Sequence, residues 1–341
     1  MIFHIFPKSK RSTLYFIPIG LRHLPHIGEA LKERDLNLSV SPIVGELKGD
    51  NKKQISLYNK YCINFFFKSV IILFFSQVGA VGTQFLSIPP SARDLVYFNS
   101  PWRNPAVLNQ LNKVPELGLA YGNWLAGVQS FGFRWKGQIK NGSGGIDIRY
   151  VGLDDIELRP NKPTSKPLAY YAAYGSSIRG VYSWRKGSLG FGVGVKRVDI
   201  QIYQEKSSGT ALDIGLKWGV SENIHINFSA LNLGKMETIV SESPQLPRRV
   251  ISSLSYEKNH YVLFGAVESN IFVEKPIMYG GGNGRYKNLI FGITAMTSKG
   301  VKSISGGTGI QFGIYSVTYG FQWGDQHLGM PQMMDITIRL P

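Results

Sequence analysis

The side chains that most often perform chemistry are sparse in this sequence, and their spacing does not support catalysis. His225 and His327 have serines nearby, but no Gly-x-Ser-x-Gly stretch supplies the nucleophile of a hydrolase. The sequence also has no His-Glu-x-x-His stretch, and its single cysteine, Cys62, excludes an internal disulfide and a paired-cysteine metal site. We therefore expect a protein that is not an enzyme and that uses no cofactor and no metal.

Two further stretches carry groups that bind ions or phosphates in other proteins. Asp154, Asp155 and Glu157 in "VGLDDIELRP" could ligate a cation, although the default interpretation is a solvated loop. The stretch "YGGGNG" at 279–284 lacks the Lys-Ser/Thr pair of a phosphate-binding loop. Its position between two predicted strands favours a hairpin.

The positive charge of the chain does not indicate a nucleic-acid partner. The formal net charge is +16, and such an excess can attract nucleic acid, an anionic membrane surface or an acidic protein. The basic residues are scattered over strands and turns, and they form neither a basic helix nor a recognised binding motif. We expect no binding of nucleic acid.

Alternation with a period of two residues dominates the sequence from Pro115 onward. In "GIYSVTYGFQWG", residues 313–324, one face carries large apolar side chains and the other carries small or polar ones. Fourteen segments follow this pattern, and most have about 8 to 12 residues. A tilted strand needs about 9 to 11 residues to cross a bilayer.

This pattern predicts an all-β protein: a single antiparallel membrane β-barrel of about 14 strands over residues 115–341. An Arg or Lys on the lipid face at mid-depth costs about 2 to 4 kcal/mol, so we expect charges on the small-residue face to point into the lumen. The candidate lumen-facing charges are Arg134, Lys136, Asp147, Arg149, Lys196, Asp213 and Lys217. The alternative is a soluble sandwich or propeller, although the solvent face of such strands usually carries more Lys, Glu and Thr than Gly.

The N-terminal region has the composition of an export signal. Residues 59–80 contain two lysines, a short apolar run and a small-residue end, which predicts a signal peptide cleaved after Ala80. A membrane anchor is the alternative, but the apolar run is shorter than the roughly 20 residues of a spanning helix. We expect residues 1–58 to be an extension upstream of the true translation start, or an unrelated segment. An exported barrel belongs in the outer membrane of a Gram-negative bacterium.

Three features of residues 81–341 resemble the PorV/PorQ family of outer-membrane barrels. "GTQFLSIPPSARDLVYFNSPWRNPAVL" resembles the opening of the family, with Ser91-Ala92-Arg93 and Asn104-Pro105-Ala106 as its motifs. "ALDIGLKWGVSENIHINFSALNLGKM", residues 211–236, is similar to an Asp-x-Gly-Leu strand followed by a strand that ends in Asn-Leu-Gly. The third feature is the number of strands, and the family is similar in turn to the FadL-type fatty-acid transport barrels.

The resemblance implies a role and a set of partners. It implies a plug-like segment over residues 81–114, in which Asn104, Pro105 and Ala106 form the motif that enters the mouth of the barrel; a turn before the first strand is the simpler alternative. It further implies a non-enzymatic role in type IX protein secretion or in surface attachment of cargo. The implied partners are outer-membrane lipid, type IX secretion components and cargo C-terminal domains. The similarity to FadL-type barrels implies the alternative function, transport of hydrophobic small molecules across the outer membrane.

Overall fold

The structure is a computed structural model that describes residues 82–110, 114–159, 165–239, 241–325 and 329–340. The predicted extension at 1–58 and the predicted signal peptide at 59–80 lie outside the described residues, as does His327. Over the described ranges, no helix has the length and apolar character needed to cross a membrane.

Within the described ranges, fourteen antiparallel strands form one closed barrel, in which each strand pairs with its neighbours in sequence and β1 pairs with β14. The strands are β1 (Glu116–Asn123), β2 (Gln129–Ile139), β3 (Gly142–Leu158), β4 (Ala169–Lys186), β5 (Leu189–Ile202), β6 (Glu205–Gly219), β7 (Ile224–Met236), β8 (Arg249–Lys258), β9 (Tyr261–Asn270), β10 (Ile277–Tyr286), β11 (Leu289–Ser298), β12 (Val301–Phe312), β13 (Tyr315–Gly324) and β14 (Gln332–Arg339). The predicted fold class is confirmed. Closure leaves no strand edge without a partner, which lipid requires because it offers backbone groups no hydrogen bonds.

The two ends of the barrel differ in the length of their connections. At one end, which we call the short-turn end, residues 140–141, 187–188, 259–260, 287–288 and 313–314 form tight turns. The chain also enters β1 and leaves β14 at this end. The opposite end, the long-loop end, carries the connections 159–168, 237–248 and 271–276. The long-loop end also has two-residue turns at 203–204 and 299–300. Short turns are typical of the periplasmic side of outer-membrane barrels and longer loops of the extracellular side.

The outer surface of the barrel is apolar and the inner surface is polar. On β13, Tyr319 and Trp323 expose 39% and 52% of their surface, whereas Ser316 and Thr318 expose 5% and 1%. A protein folded in water has the opposite arrangement, because its apolar side chains are buried. The orientation therefore fits a barrel surrounded by lipid and not a soluble sandwich or propeller.

Aromatic side chains point outward near both ends of the wall. Trp184 and Trp218 are exposed close to the short-turn end, and Tyr121 and Trp323 are exposed close to the long-loop end. Trp and Tyr are enriched where a membrane meets water, because their rings are apolar and their N–H or O–H groups are polar. The two groups have the positions of the aromatic girdles that flank the apolar band of a membrane barrel.

Residues 82–110, which we call the plug segment, cross the lumen of the barrel. The segment contains a short helix α1 (Ala92–Val96) and two 3-10 helices, Thr83–Ser87 and Pro105–Gln110. Helix α1 packs against β11 to β14, whereas the second 3-10 helix packs against β3 to β6 on the opposite side of the ring. Because the segment contacts both sides, it occupies the lumen. It lies within the predicted plug-like region at 81–114.

Inward-facing glycines make room for the plug segment. A Cβ added at Gly192 or Gly215 would overlap the backbone or side chains of Asn104, Pro105 and Ala106, and one at Gly292 would overlap the Val96 carbonyl. By contrast, the outward-facing Gly265 has no other atom within 4 Å of such a Cβ. Glycine is the residue that allows close backbone approach. Glycines at these inward-facing positions therefore leave the space that the backbone of the plug segment occupies.

The acidic stretch at 154–157 is part of a strand and not a loop, although Asp154, Asp155 and Glu157 are exposed as a solvated stretch would be. It lies inside β3, where the pairing with β4 shifts between Leu153 and Ile156. Asp155 has φ 57°, which is the left-handed conformation found at β-bulges. The described residues contain no group of three or more His, Cys, Asp or Glu side chains that could hold a metal ion.

Candidate functional site

An ion pair joins the plug segment to the barrel wall. Arg134 on β2 contacts Asp94 of α1 through Nη2 and Oδ2, at 2.9 Å, and Asp147 on β3 through Nε and Oδ1, also at 2.9 Å. Asp94 also accepts a hydrogen bond of 2.7 Å from the Ser91 hydroxyl. Burial acts to raise the pKa of Asp94, but the charge of Arg134 and the hydrogen bonds outweigh it, so the pKa lies below its ordinary value.

The chain of ion pairs continues around the wall. Arg179 on β4 contacts Asp147 at 3.2 Å and approaches Asp213 on β6 to 2.8 Å. Lys196 on β5 lies 2.9 Å from the same oxygen of Asp213. The short Arg179–Asp213 contact is ionic without the alignment of a hydrogen bond. Arg179 also donates to the Pro101 carbonyl at 3.1 Å, so the wall holds the plug segment at a second point.

A second cluster of charges surrounds Glu116 at the start of β1. Its carboxylate lies 2.9 Å from Lys136, 3.3 Å from Arg93 of the plug segment and 3.2 Å from Arg339. The backbone N–H of Arg93 donates to Asp335 on β14 at 2.8 Å. One buried carboxylate therefore connects the first strand, the last strand and the plug segment.

A third group of charges holds the middle of the plug segment. Arg249 on β8 donates two hydrogen bonds to Glu268 on β9, at 2.6 and 2.9 Å, which is the bidentate geometry of strong pairs. The Trp102 ring contacts two guanidinium groups, with Arg103 Cζ at 4.6 Å and Arg249 Cζ at 4.7 Å from its centroid. Cation–π contacts of this kind strengthen when they are removed from water.

The predicted motif Asn104-Pro105-Ala106 lies inside the barrel, against β5 and β6. The Asn104 amide donates to the Leu216 carbonyl at 3.0 Å, and its Oδ1 accepts from the Ala106 N–H at 2.9 Å. The second bond closes a turn on the backbone of the motif, which is the usual local use of an Asn side chain. The first bond attaches that turn to the wall.

A cavity of about 310 Å³ remains between the plug segment and the wall. Ligand sites usually have about 300 to 1,000 Å³, so this cavity suits a small solute. Basic side chains outnumber acidic ones around it. The basic residues are Arg93, Arg134, Lys136, Arg149, Arg179, Lys196, Arg285 and Arg339, and the acidic residues are Asp94, Glu116, Asp147 and Asp335.

The structure brings most of the predicted lumen-facing charges to this cavity. Arg134, Lys136, Asp147, Arg149 and Lys196 line it. Asp213 does not line the cavity, but it contacts two cations that do, Arg179 and Lys196.

Lys217, the last predicted charge, is buried and lies toward the short-turn end of β6. It pairs there with Glu257 at 2.8 Å and is not part of the cavity lining.

Sequence reasoning missed several residues of the site. Arg179 and Arg249 lie on the small-residue face of their strands, so the rule that identified Arg134 could also have identified them. Asp94 and Arg103 belong to the plug segment, where no alternation exists to indicate direction. Their position inside the lumen follows from the path of the chain, which no short sequence pattern encodes.

His225, considered above for a hydrolase, belongs to a polar cluster near the short-turn end. Its Nε2 lies 3.5 Å from Glu257, and the Ser255 hydroxyl donates to the same carboxylate at 3.3 Å. Ser255 is therefore bonded to an acid, whereas an activated nucleophile would donate to the base. This arrangement favours the interpretation of His225 as a lumen histidine.

Comparisons with known proteins identify similar folds but no family. No protein-family model matches the chain, and no curated protein matches it. Among solved structures, the "CymD monoaromatic hydrocarbon channel" is similar with a TM-score of 0.53 and 11% identity, over 77% of this chain and 95% of that one. The Pseudomonas putida toluene transporter TodX is similar with a TM-score of 0.52 and 10% identity, over 76% of this chain and 97% of that one. At these identities the similarity establishes the fold alone, which is that of outer-membrane barrels.

Proposed function

We propose that this barrel carries hydrophobic small molecules across the outer membrane by a path that the plug segment controls. One observation carries the proposal: a segment of the chain crosses the lumen and leaves a cavity of about 310 Å³ beside it. A structural barrel would need no such cavity, and an open porin would have no such segment. The fold shared with a hydrocarbon channel and a toluene transporter supports the same conclusion.

The plug segment is not a strand of the ring, and it contacts the wall through polar groups and through apolar side chains such as Phe98, whose ring stacks on Phe264 with centroids 4.5 Å apart. Polar contacts join it to the strands at separate points, as in Asp94–Arg134 and Asn104–Leu216. The strands keep their own continuous pairing around the ring. A shift of the plug segment would therefore connect the cavity to one end of the barrel and leave the barrel closed.

Uptake by cells tests this function, because the outer leaflet of a Gram-negative outer membrane retards hydrophobic solutes. The chain is expressed in a host that lacks its own transporters of this kind, and uptake of toluene and of a long-chain fatty acid is measured. We expect faster uptake of at least one of them than in cells with an empty vector, and no change for a hydrophilic sugar. Unchanged uptake of both, with the barrel assembled as judged by heat-modifiable gel mobility, would contradict the proposal.

The role in type IX secretion or cargo attachment is the second candidate function. Its support is the sequence resemblance to PorV/PorQ barrels, with Asn104-Pro105-Ala106 inside the plug segment. The similar solved structures favour transport over this role. Deletion of the gene tests it: loss of surface-attached cargo that carries type IX C-terminal domains would favour secretion, and retained cargo would count against it.

A further inference from the structure

We propose that four lysines at the short-turn end bind the phosphate groups of anionic phospholipids in the leaflet that this end faces. The four, which we call the lysine rim, are Lys140, Lys186, Lys258 and Lys287. The inference does not depend on the transport function, because it concerns the outer wall of the barrel and not the lumen. It rests on the unequal distribution of charge between the two ends, on the lack of acidic partners for these lysines within the described ranges, and on their position beside outward-facing aromatic side chains.

Exposed charges are distributed unequally between the two ends of the barrel. Of the exposed charged residues that the structure describes at the short-turn end, six are basic and only Glu222 is acidic. The six are the lysine rim, Arg185 and Arg285. Toward the long-loop end, the described ranges hold eight exposed basic and eight exposed acidic residues, so the charges balance there. The basic ones are Arg159, Lys166, Arg197, Lys206, Lys235, Lys275, Lys299 and Lys302, and the acidic ones are Asp154, Asp155, Glu157, Glu205, Glu237, Glu242, Glu274 and Asp325.

The positive charge of the short-turn end is not neutralised by neighbouring acids. None of its six exposed cations forms an ion pair with a carboxylate of the described residues. Three exposed cations of the long-loop end do have such partners, in the pairs Arg159–Glu157, Arg197–Asp199 and Lys299–Glu274. Cations that lack acidic neighbours produce a positive potential, which attracts an anionic surface. The lysine rim therefore carries charge that a partner outside the chain can neutralise.

The lysines lie at the level where lipid headgroups meet the wall. Lys287 Nζ is 5.5 Å from the centroid of the ring of Tyr286, a residue that exposes 64% of its surface. Lys186 ends β4 two residues after the outward-facing Trp184, so the two side chains share the outward face of the strand. Trp and Tyr mark the interface between the apolar band and water. A lysine at this depth can keep its apolar stem against the wall and direct its ammonium group to the headgroups.

Tight turns keep the lysine rim close to the wall. Lys140 and Lys287 occupy two-residue turns and have φ 50° and 53°, the left-handed conformation that such hairpins favour. Lys258 ends β8 two residues after the outward-facing Tyr256 and directly before the turn 259–260. Since no longer loop carries these lysines away from the barrel, their ammonium groups stay near the membrane surface.

The distribution of the lysine rim around the barrel favours lipid over an acidic protein as the partner. The four lysines belong to the hairpins β2–β3, β4–β5, β8–β9 and β10–β11, which lie in both halves of the ring. A protein that docked at one side would contact a single patch, whereas a leaflet surrounds the whole wall. Short turns are typical of the periplasmic side of outer-membrane barrels, and the periplasmic leaflet consists of phospholipids. Anionic phospholipids therefore fit this end better than the phosphorylated glycolipid of the outer leaflet.

Electron paramagnetic resonance of spin-labelled lipids tests this inference on the protein reconstituted in phosphatidylcholine vesicles. The fraction of label that the protein immobilises gives the association constant of phosphatidylglycerol relative to phosphatidylcholine. One lysine near an anionic lipid favours it about fivefold, and only some of the lipids around the wall contact the lysine rim, so we expect an average preference of about twofold or more. The preference should fall as the salt concentration rises, because salt screens exposed charges.

A variant with glutamine in place of all four lysines of the rim should lose this preference. The matched control changes four exposed lysines of the long-loop end and should keep it; its substitutions are Lys206→Gln, Lys235→Gln, Lys275→Gln and Lys302→Gln. A rim variant that kept the preference, or a control that lost it, would overturn the inference. Equal association of the two lipids with the unchanged protein would overturn it in favour of an acidic protein as the partner.

Unlabelled lipid A, the phosphorylated anchor of the outer-leaflet glycolipid, distinguishes the two lipid sources. We expect it to displace labelled phosphatidylglycerol no better, per phosphate group, than unlabelled phosphatidylglycerol does. Stronger displacement that the rim variant abolishes would assign this end to the glycolipid leaflet and overturn the phospholipid assignment. If the fourfold variant does not assemble, as judged by heat-modifiable gel mobility, two double variants replace it: Lys140→Gln with Lys186→Gln, and Lys258→Gln with Lys287→Gln. Each should lose part of the preference, and an unchanged preference in both would contradict the inference.

Discussion

The Asp94 carboxylate of the plug segment lies 2.9 Å from the Arg134 guanidinium on β2, and both groups are inside the barrel. Arg134 is also the cation that Asp147 contacts from the neighbouring strand. The plug segment is thus attached to the same chain of charges that connects adjacent strands of the wall. This relationship makes the position of the plug segment sensitive to single charges.

Asp94→Asn is expected to release the plug segment. Removing one partner of a buried ion pair typically costs about 3 to 5 kcal/mol. We expect a smaller cost here, because Arg134 keeps its contact with Asp147. We expect more frequent channel openings in planar bilayers and faster protease cleavage within residues 82–110. Glu274→Gln, in the exposed connection between β9 and β10, is the control and should change neither measurement. An Asp94→Asn barrel that conducts and resists protease like the unchanged protein would refute the role of this pair.

The attachment of the plug segment should survive moderate acid. The pKa of Asp94 in the folded protein is lowered, so its stabilising contribution is complete above the ordinary value of about 3.9 and is lost only as the pH falls through the lower folded value. Conductance recorded between pH 7 and pH 3 should therefore stay low until below about pH 4. In Asp94→Asn this acid-induced step should be absent. A rise in conductance of the unchanged protein already at pH 5 to 6 would show that another group controls the plug segment.

Gly215→Val is expected to displace the plug segment by steric overlap. The added side chain would occupy the space of Asn104, Pro105 and Ala106. Overpacking of a filled interior typically costs about 1 to 3 kcal/mol, and here the plug segment can yield while the paired strands cannot. We expect higher conductance with the same heat-modifiable gel mobility. Gly265→Val is the matched control, because its side chain would point outward into open space. Equal conductance of Gly215→Val and Gly265→Val would contradict the close contact between the plug segment and Gly215.

Ile293→Arg tests whether lipid surrounds the wall. Ile293 is in the middle of β11 and exposes 57% of its surface. An arginine at mid-depth on the lipid face costs about 2 to 4 kcal/mol, whereas one near the interface costs about 0 to 1 kcal/mol. Denaturant titration in lipid vesicles should therefore give a clearly lower free energy of unfolding for Ile293→Arg than for Tyr286→Arg at the short-turn end of β10. If both cost the same small amount, the outer face is not in contact with lipid.

Much of the wall could be predicted from local patterns. On β13, Tyr319 points outward and Thr318 points inward, because successive side chains of any strand point to opposite faces. One face meets an apolar surrounding and the other a polar one, so the residue types alternate along the sequence. The same rule placed Arg134 and Asp147 on one face. It could not indicate that these two residues are directly opposite each other on β2 and β3, because register depends on which strands pair.

The candidate site could be predicted only in part. The list of luminal charges included Arg149, whose Nε and Nη2 have no hydrogen-bond partner among the described residues, but gave no reason to separate it from Arg134 or Lys196. That difference depends on where Asp94, Asp147 and Asp213 lie in space, and Asp94 arrives from a segment with no strand pattern. Lys217 alternates with apolar residues like the other predicted charges, but it lies outside the cavity lining. Its position along the barrel axis depends on the stagger of the strands, which the alternation does not indicate.

The amino-acid sequence alone determined the all-β class, the number of strands and the face of each strand that meets lipid. These properties follow from the alternation of apolar and polar side chains with a period of two residues, which is visible in any short stretch of the sequence. The tertiary structure alone decided that residues 82–110 cross the lumen, that their backbone packs against glycines of distant strands, and that Nε and Nη2 of Arg149 have no hydrogen-bond partner among the described residues. Such properties depend on contacts between residues far apart in the chain, and those contacts exist only once the ring of strands has closed.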